Sequence, residues 1–209
     1  KEGARVLVIG AGFIGSEMAA ALQNAGMNVT MLFPDPLMGS SLFPRNLAGA
    51  LQGKYADTGI SFFAGDLPQR IEKTSDGFLT ATKNGKTIAS DAVVAGIGVE
   101  PAIDFTRRAG LDADNGIVVN EYLQTSHPDI YAAGDIASCF YPSLNKRMRF
   151  EHWDCAMSQG SLAGENMAGS SKTFTTLPYF FSDLYDFGYE ALGDTNPSYE
   201  IVEDWQQEH

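Results

Sequence analysis

Residues 5–15 have the sequence RVLVIGAGFIG, in which a short apolar run precedes three glycines with the spacing G-x-G-x-x-G. The run from residue 5 to residue 9 is rich in β-branched side chains, which favours a buried parallel strand. Gly10 permits a tight turn, Gly12 leaves the approach to a pyrophosphate free, and Gly15 lets the following helix pack closely. The free amides and positive dipole end of that helix attract phosphate. This stretch predicts a dinucleotide-binding turn, and we assign its cofactor contacts to Gly10, Gly12, Phe13, Ile14 and Gly15.

The segments around this turn alternate between strand and helix patterns. In chain order they are a helix over 14–25, a strand over 28–33, a helix over 42–58, and strands over 60–64 and 92–95. Between residues 69 and 90, the turn pairs Asp76-Gly77 and Asn84-Gly85 separate three short segments, which is typical of an antiparallel β-meander. We predict the α/β class: a Rossmann-like parallel sheet with helices on both faces and an antiparallel β-meander insertion. A glycine turn without a ligand is the alternative, but the flanking strands and helix favour a cofactor site.

Asp35 follows the second predicted strand, about 20 residues after the glycine turn. A carboxylate near this place usually accepts hydrogen bonds from the adenosine ribose of NAD. No Lys or Arg lies between Ser16 and Phe43 to bind the 2′-phosphate of NADP, so we expect NADH rather than NADPH. Because Asp35 lies two residues beyond the strand and between prolines, a solvated turn residue is the alternative interpretation.

The composition limits the partners that the chain can bind. A formal net charge of −12 repels phosphate backbones and anionic lipid, so we expect no nucleic-acid partner. No apolar run approaches the roughly 18 residues of a membrane-spanning helix. Cys139 and Cys155 form no CxxC or metal-ligand spacing, and we predict buried free thiols and no metal site, with a redox pair as the alternative.

The later part of the chain has weaker patterns. Residues 117–119 and 130–133 are short strand candidates, and residues 154–167 favour a helix. The sequence begins Lys1-Glu2-Gly3, without methionine and close to the first strand, and shows no signal-peptide pattern. The tail has too few strands to close a domain, so we expect the chain to be part of a longer protein.

Two of the later segments resemble the flavoprotein pyridine-nucleotide oxidoreductases. The stretch GIGVEP at residues 96–101 is similar to the G-x-G-x-x-P strand end of their NAD domain, and TSHPDIYAAGD at residues 125–135 is similar to their second FAD fingerprint. The resemblance implies that Gly98 lets the nicotinamide half lie flat. It also implies that Gly134 and Asp135 bind FAD at its ribityl or phosphate part, and the carboxylate can accept hydrogen bonds from the ribityl hydroxyls. A loop aspartate that caps the next helix is the alternative for Asp135.

A third group of segments resembles the apoptosis-inducing factor and ferredoxin reductase type within that superfamily. These segments are FEHWD at 150–154, GENM at 164–167, PYFFSD at 178–183 and GYEALG at 188–193. The resemblance implies that Glu151 and His152 lie beside the nicotinamide and flavin rings. It places Phe181 against the flavin, where the family often has Trp, and Glu190 near the nucleotide. The alternatives are that His152 packs at a helix start and that the aromatic residues 179–181 belong to a core.

The same resemblance implies a domain division. Residues 1–101 would form the NAD-binding domain, 102–172 the C-terminal segment of a FAD-binding domain, and 173–209 the start of a truncated C-terminal domain. Two departures weaken the match. Ser40 stands near a place where the apoptosis-inducing factor type has a lysine, and the second glycine fingerprint that FAD needs is absent from the sequence. The FAD-domain segment is therefore expected to be incomplete.

The activity implied by the resemblance is that of an NADH-dependent flavoprotein oxidoreductase with FAD and NAD as cofactors. Hydride passes to the flavin without an acid or base side chain, and electrons leave to a quinone, an iron–sulfur protein or oxygen. We expect the parent protein to be the enzyme and this chain alone not to be competent. An NAD-binding module without catalysis and a pyridine nucleotide-disulfide reductase are the alternatives, and a homodimer is left open.

Overall fold

The computed structural model describes residues 2–206, so Lys1 and residues 207–209, at the outer ends of the first and third predicted domains, lie outside the described residues. Within this range the chain divides into two compact units. The first contains residues 2–98, 183–188 and 195–206, and the second contains residues 99–182 and 189–194. The three-part domain division stays a prediction about the whole protein.

The first unit is built on a four-stranded parallel sheet. Its elements are β1 (Arg5–Ile9), α1 (Phe13–Asn24), β2 (Asn28–Phe33), α2 (Arg45–Asp57), β3 (Ser61–Ala64), β4 (Pro68–Thr74), β5 (Gly77–Thr82), β6 (Thr87–Ser90) and β7 (Ala92–Ala95). The parallel strands lie in the order β3-β2-β1-β7, and β4, β5 and β6 form a separate antiparallel sheet. The predicted α/β class, the parallel sheet and the meander insertion are confirmed.

One face of the parallel sheet is covered by the meander. Leu7 and Ile9 of β1 and Leu32 of β2 are buried in one cluster with Ile88 of β6. The register agrees, because Leu7 pairs with Val93 and Ile9 pairs with Leu32, which places these side chains on the same face. At this part of the sheet a strand of the meander, and not a helix, therefore supplies the covering apolar surface.

The helix boundaries follow local backbone constraints. α1 ends with Ala25 as its C-cap, and the next residue, Gly26, has φ of 75°, a conformation that glycine adopts without strain. α2 begins at Arg45 rather than at the predicted residue 42. Pro44 at its N-cap has an extended backbone with ψ of 149° and cannot continue a helix toward the N-terminus.

The Tyr55 side chain connects α2 to the beginning of α1 by a hydrogen bond. Its side chain is completely buried, and its hydroxyl donates a hydrogen bond of 3.0 Å to the backbone carbonyl of Ser16. The Tyr185 ring meets the Tyr55 ring edge to face, with 5.3 Å between the centroids. Since Ser16 lies in the first turns of α1, Tyr55 helps to fix the part of α1 that follows the glycine turn.

The second unit contains a small mixed sheet and one long helix. Its elements are α3 (Asp104–Ala109), β8 (Ala113–Asp114), β9 (Gly116–Val118), a 3₁₀ turn (Gly134–Ile136), β10 (Ala137–Tyr141), a second 3₁₀ turn (Pro142–Leu144), β11 (Lys146–Met148) and α4 (Trp153–Met167). The strands lie in the order β11-β10-β9-β8. A hairpin of β12 (Tyr179–Leu184) and β13 (Phe187–Leu192) follows α4.

The strand expected over residues 130–133 is wrong. Only Tyr131 forms a bridge there, to Gln124. The Thr125 hydroxyl and the backbone N–H of Thr125 both bond to the Ile130 carbonyl, which closes the intervening residues into a compact loop. The helix expected over residues 154–167 is confirmed and begins one residue earlier. In residues 2–206, no helix is long and apolar enough to cross a lipid bilayer.

Replacing Tyr55 by Phe should lower the free energy of unfolding by about 1 kcal/mol, because one buried hydrogen bond is lost while the ring packing is kept. Urea unfolding followed by circular dichroism measures the change. Tyr122→Phe is the matched control, since the Tyr122 side chain is only partly buried. Equal midpoints for the two variants would show that the Tyr55 hydroxyl contributes nothing to stability.

Candidate functional site

A pocket of about 350 Å³ opens at the carboxyl ends of three parallel strands in the first unit. Ligands of open α/β sheets bind at this edge, outside the ends of the strands. The lining comes from the ends of β1, β2 and β7 and from nearby loops: Ile9, Gly10, Ala11, Gly12, Leu32, Pro34, Asp35, Ser41, Leu67, Gly96, Ile97 and Gly98. The predicted residues Gly10, Gly12, Asp35 and Gly98 are therefore brought together by the structure.

Three glycines pack backbone against backbone beside this pocket, and two of them, Gly10 and Gly96, line it. Gly10 has φ of 101°, and a Cβ on Gly10 would overlap the carbonyl oxygen of Gly96 at the end of β7. A Cβ on Gly15 would overlap the Gly10 carbonyl oxygen, and a Cβ on Gly96 would lie 3.0 Å from the Gly15 amide nitrogen. We call these residues the glycine junction. Each glycine approaches the next so closely that a side chain on any of them would push apart the turn after β1, the start of α1 and the end of β7.

Gly12 has a different environment from the glycine junction. A Cβ at Gly12 would meet no atom within 4 Å, and the residue has φ of −80°, which any amino acid adopts. Gly12 is the N-cap of α1, where no side chain makes a capping hydrogen bond. The first turn of α1, with Phe13, Ile14 and Gly15, therefore faces an open approach that suits an anionic group.

Asp35 and Gly98 lie on the rim of the pocket. The Asp35 backbone carbonyl accepts a bond of 3.0 Å from the Gly65 amide, which holds the turn after β2, while the side chain is partly exposed. Gly98 has φ of 100°, and a Cβ there would meet nothing within 4 Å. The Ser40 hydroxyl turns back to bond the Leu37 carbonyl at 2.6 Å, and the neighbouring Ser41 lines the pocket instead.

Sequence reasoning missed several lining residues. Gly96 belongs to the quoted G-x-G-x-x-P stretch, but no role was assigned to it, because its close approach to Gly10 and Gly15 depends on β7 lying beside β1. Ser41 and Leu67 come from loops whose position the sequence pattern does not encode. The tight G-x-G spacing of residues 96–98 was the signal that could have marked Gly96.

The predicted flavin-side residues lie in the second unit, close to the beginning of α4. Gly134 starts the 3₁₀ turn over residues 134–136, and its amide donates a bond of 2.8 Å to the side-chain oxygen of Gln159 in α4. Gly134 has φ of 76°, and Ala156 of α4 lies 3.5 Å from the place of a Cβ. The side chain of Asp135, which follows, is exposed, so its carboxylate is available to a ligand.

Arg149 connects this turn to the residues that precede α4. Its guanidinium donates a 2.9 Å bond to the Asp135 backbone carbonyl and lies 2.7 Å from a carboxylate oxygen of Glu151. The Arg149 side chain is only 10% exposed, whereas that of Glu151 is 38% exposed. Sequence reasoning missed Arg149, since its partner Asp135 lies far away along the chain.

His152 is the N-cap of α4, and its ring is held between aromatic side chains. It stacks on Phe180 with 4.2 Å between centroids, and Phe150 lies on a tilted plane at 5.6 Å. Burial lowers the pKa of His152, against the charges of Glu151 and Asp135, which raise it. A neutral imidazole is therefore favoured at neutral pH, so His152 adds little positive charge to the site.

The remaining predicted residues lie on the hairpin. Phe181 of β12 is 52% exposed, while its neighbours Phe180 and Ser182 are buried, as the alternation of a strand requires. Glu190 lies on β13 and is exposed. The structure thus places Phe181 and Glu190 at the surface and not in an apolar core; their contact with a cofactor stays a prediction.

The two cysteines are free and buried, as predicted. Burial raises the pKa of Cys139 to about 12 and also raises the pKa of Cys155. Both thiols are therefore protonated at neutral pH and unsuited to nucleophilic chemistry. In the part of the chain that the structure describes, no group of three or more His, Cys, Asp or Glu side chains could hold a metal ion.

A parallel sheet whose strand ends adjoin an open glycine turn is the architecture of a dinucleotide-binding domain. Comparison with known families agrees, because the sequence model of the pyridine nucleotide-disulphide oxidoreductase family matches residues 1–160. The chain belongs to this family. The predicted resemblance to FAD-dependent pyridine-nucleotide oxidoreductases is confirmed, and so is the predicted pair of cofactors, FAD and NAD(H), as those of the family's members.

Individual relatives give the extent of the similarity. The ferredoxin–NAD(+) reductase component of the anthranilate 1,2-dioxygenase system from Burkholderia cepacia is 35% identical over 191 residues, which are 91% of this chain and 47% of the relative. The mitochondrial apoptosis-inducing factor 1 of Dictyostelium discoideum is 34% identical over 98% of this chain and 41% of its own length. A ferredoxin reductase structure from Rhodopseudomonas palustris has a TM-score of 0.84 and 30% identity, covering 90% of this chain and 46% of that chain. The chain spans less than half the length of each.

Replacing Gly12 by Val should raise the dissociation constant of NADH about tenfold or more while the fold stays intact. The added side chain enters the open approach in front of α1 without straining the backbone, because Gly12 already has an ordinary φ. Fluorescence titration with NADH measures binding, and circular dichroism checks the fold.

Gly53→Val is the matched control for this variant. Gly53 lies exposed in α2, and a Cβ there also meets nothing within 4 Å. Wild-type NADH affinity in Gly12→Val would show that the pyrophosphate binds elsewhere. An equal loss of NADH affinity in both variants would show that replacing a glycine by valine, and not the position of Gly12, causes the effect.

Proposed function

We propose that this chain supplies the NADH-binding domain and one FAD-binding segment of an NADH-dependent flavoprotein oxidoreductase. The observation that carries the proposal is the open approach at Gly12, which adjoins Asp35 in one pocket at the carboxyl ends of β1, β2 and β7. Family membership establishes the general oxidoreductase class. The donor, the acceptor and the role of each residue form the proposal.

The residues that line the pocket support NADH as its ligand. The space in front of Gly12 and the amides of the first turn of α1 suit a pyrophosphate. Asp35 on the rim can accept hydrogen bonds from the two ribose hydroxyls of the adenosine half. Among the described lining residues there is one carboxylate and no cationic side chain, so a 2′-phosphate would find repulsion from Asp35 and no compensating charge.

The second unit fits part of a flavin site. Asp135 and Glu151 offer exposed carboxylates, and Phe181 offers an exposed ring. The stacking of His152 on Phe180 fixes the imidazole plane at the start of α4. The positive end of the α4 dipole lies beside these residues and stabilises negative charge on a bound ring system.

When the cofactors are bound, the nicotinamide supplies a hydride and the flavin accepts it. The residues of this chain bind and orient these groups, and no side chain is assigned a proton-transfer role. For the electron acceptor we favour a small iron–sulfur protein over a quinone or oxygen, since the Burkholderia relative is named as a ferredoxin–NAD(+) reductase component.

An NAD-binding module without catalysis is the second candidate. It is favoured by one observation: every residue that lines the nucleotide pocket belongs to the first unit, so the pocket does not depend on flavin-side residues. A disulfide reductase is less well supported, because the relatives reported above are named as a ferredoxin–NAD(+) reductase component and an apoptosis-inducing factor.

Replacing Asp35 by Ala should weaken NADH binding by about 1–2 kcal/mol, the scale of a charge-assisted hydrogen bond. Binding of NADPH should weaken less or become tighter, because the same change removes a negative charge near its 2′-phosphate. Isothermal titration calorimetry with each nucleotide measures both constants.

The control for Asp35→Ala is Asp76→Ala, which makes the same charge change in the turn between β4 and β5. Equal NADH affinities in the wild type and Asp35→Ala would remove Asp35 from the site. A parallel change in the Asp76 variant would instead assign the effect to net charge.

Two measurements test the proposed function: the absorbance of bound flavin, and the reduction of that flavin by NADH. The purified chain should bind NADH. The full-length natural protein should be yellow, with flavin absorbance at about 450 nm that decreases when NADH is added in the absence of oxygen. A full-length protein that binds NADH but holds no flavin would support the binding module. A chain that does not bind NADH at all would contradict both candidates.

A further inference from the structure

We propose that Arg149 is a positioning residue for the flavin side of the site. It joins the 3₁₀ turn that carries Asp135 to Glu151, which precedes α4, so that the backbone of the turn and the Glu151 carboxylate are held in one fixed arrangement. The inference rests on the proposed function and adds to it a residue that contacts no cofactor itself.

Three acceptors from different parts of the second unit surround the Arg149 guanidinium. Nη1 donates to the Asp135 carbonyl at 2.9 Å and lies 2.7 Å from Oε1 of Glu151, and Nε donates to Oδ1 of Asn115 at 3.2 Å. Bonds between a charged donor and a carboxylate or carbonyl are stronger than neutral ones. Arg149 therefore restrains the Asp135 turn, the Glu151 segment and the loop before β9 together.

The stem of Arg149 lies in a space that exists because residue 116 is glycine. A Cβ on Gly116 would lie 2.8 Å from Cδ of Arg149 and 2.6 Å from the carbonyl oxygen of Ile136. Gly116 also has φ of 107°, which disfavours any side chain there. The side chain of Arg149 is only 10% exposed, so its approach to Asp135 is determined by packing and not only by charge.

The Asp135 turn has a second tether at its first residue, Gly134. The Gly134 amide bonds Gln159 of α4 at 2.8 Å, while the Asp135 carbonyl bonds Arg149. Both tethers use the backbone of the turn, which leaves the Asp135 carboxylate exposed for a ligand. A site residue needs this kind of support to stay within about 0.5 Å of its productive position.

Lysine cannot replace Arg149 in this arrangement. An ammonium is a point charge on a flexible stem, whereas the planar guanidinium directs several donors in a fixed geometry. Arg149→Lys keeps the charge near Glu151 and cannot reproduce both the Asn115 and the Asp135 bonds. The variant therefore separates positioning from simple charge neutralisation.

The test uses the full-length natural protein with FAD bound and compares Arg149→Met, Arg149→Lys and Asn115→Ala. The control is Arg107→Met, which removes an exposed arginine of α3. The measurements are the first-order rate of FAD release, the rate of flavin reduction by NADH in stopped flow, and the dissociation constant of ADP-ribose.

We expect Arg149→Met to release FAD about tenfold faster or more and to slow flavin reduction, with Arg149→Lys intermediate and Asn115→Ala smaller in the same direction. The dissociation constant of ADP-ribose, which lacks the nicotinamide, should stay at the wild-type value, since the residues of the nucleotide pocket belong to the first unit. A general loss of structure would change both sets of constants together.

The outcomes separate the two proposals. A wild-type protein that holds no FAD contradicts the proposed function and the role of Arg149 with it. A wild-type protein that holds FAD, with release and reduction rates in Arg149→Met equal to those in Arg107→Met, overturns the role of Arg149 alone. If Arg149→Met does not fold, wild-type rates in both Arg149→Lys and Asn115→Ala overturn it as well.

Discussion

The approach of three backbones at the glycine junction is the constraint on which the nucleotide pocket depends. Gly10, Gly15 and Gly96 come from the turn after β1, the first turn of α1 and the end of β7, and each lies where the next would contact its side chain. Two of these contacts are with carbonyl oxygens, which cannot move aside as a flexible side chain can. The distance between α1 and the sheet is therefore set by main-chain atoms. The same contacts set the position of the amides in the first turn of α1, which follows Gly12.

In the second unit, side chains and not close backbone contacts hold the candidate ligand-binding groups in place. Its candidate ligand-binding groups are held by side chains: Gln159 bonds the Gly134 amide, Arg149 bonds the Asp135 carbonyl, and Phe180 stacks on His152. A site supported by side chains can be adjusted by point substitutions, whereas the glycine junction tolerates none without displacement of a strand or helix. The two halves of the proposed reaction thus differ in how easily their geometry can change.

Local patterns predicted most of the first unit, because the chemistry that forms its elements lies within a few residues. The glycines at 10, 12 and 15 and the run at 5–9 identified β1, the turn and α1, and the two turn pairs identified the meander. The predicted start of α2 was too early, because Pro44 has an extended backbone and the helix begins only after it. The strand expected at 130–133 failed because hydrogen bonds to the Ile130 carbonyl, from both the backbone and the hydroxyl of Thr125, close a loop there. Contacts between residues far apart in sequence, such as Arg149 with Asn115 or Gly96 with Gly15, had no local signal at all.

The lining of the pocket combines glycines, which offer only main-chain atoms, with side chains from the surrounding loops, among them Asp35, Ser41 and Leu67. In the proposed function, holding a diphosphate and selecting the nucleotide that carries it are assigned to different atoms. Under that proposal, coenzyme preference could evolve separately from the fold, because substitutions at Asp35, Ser41 or Leu67 would leave the main-chain atoms proposed to hold the diphosphate as they are.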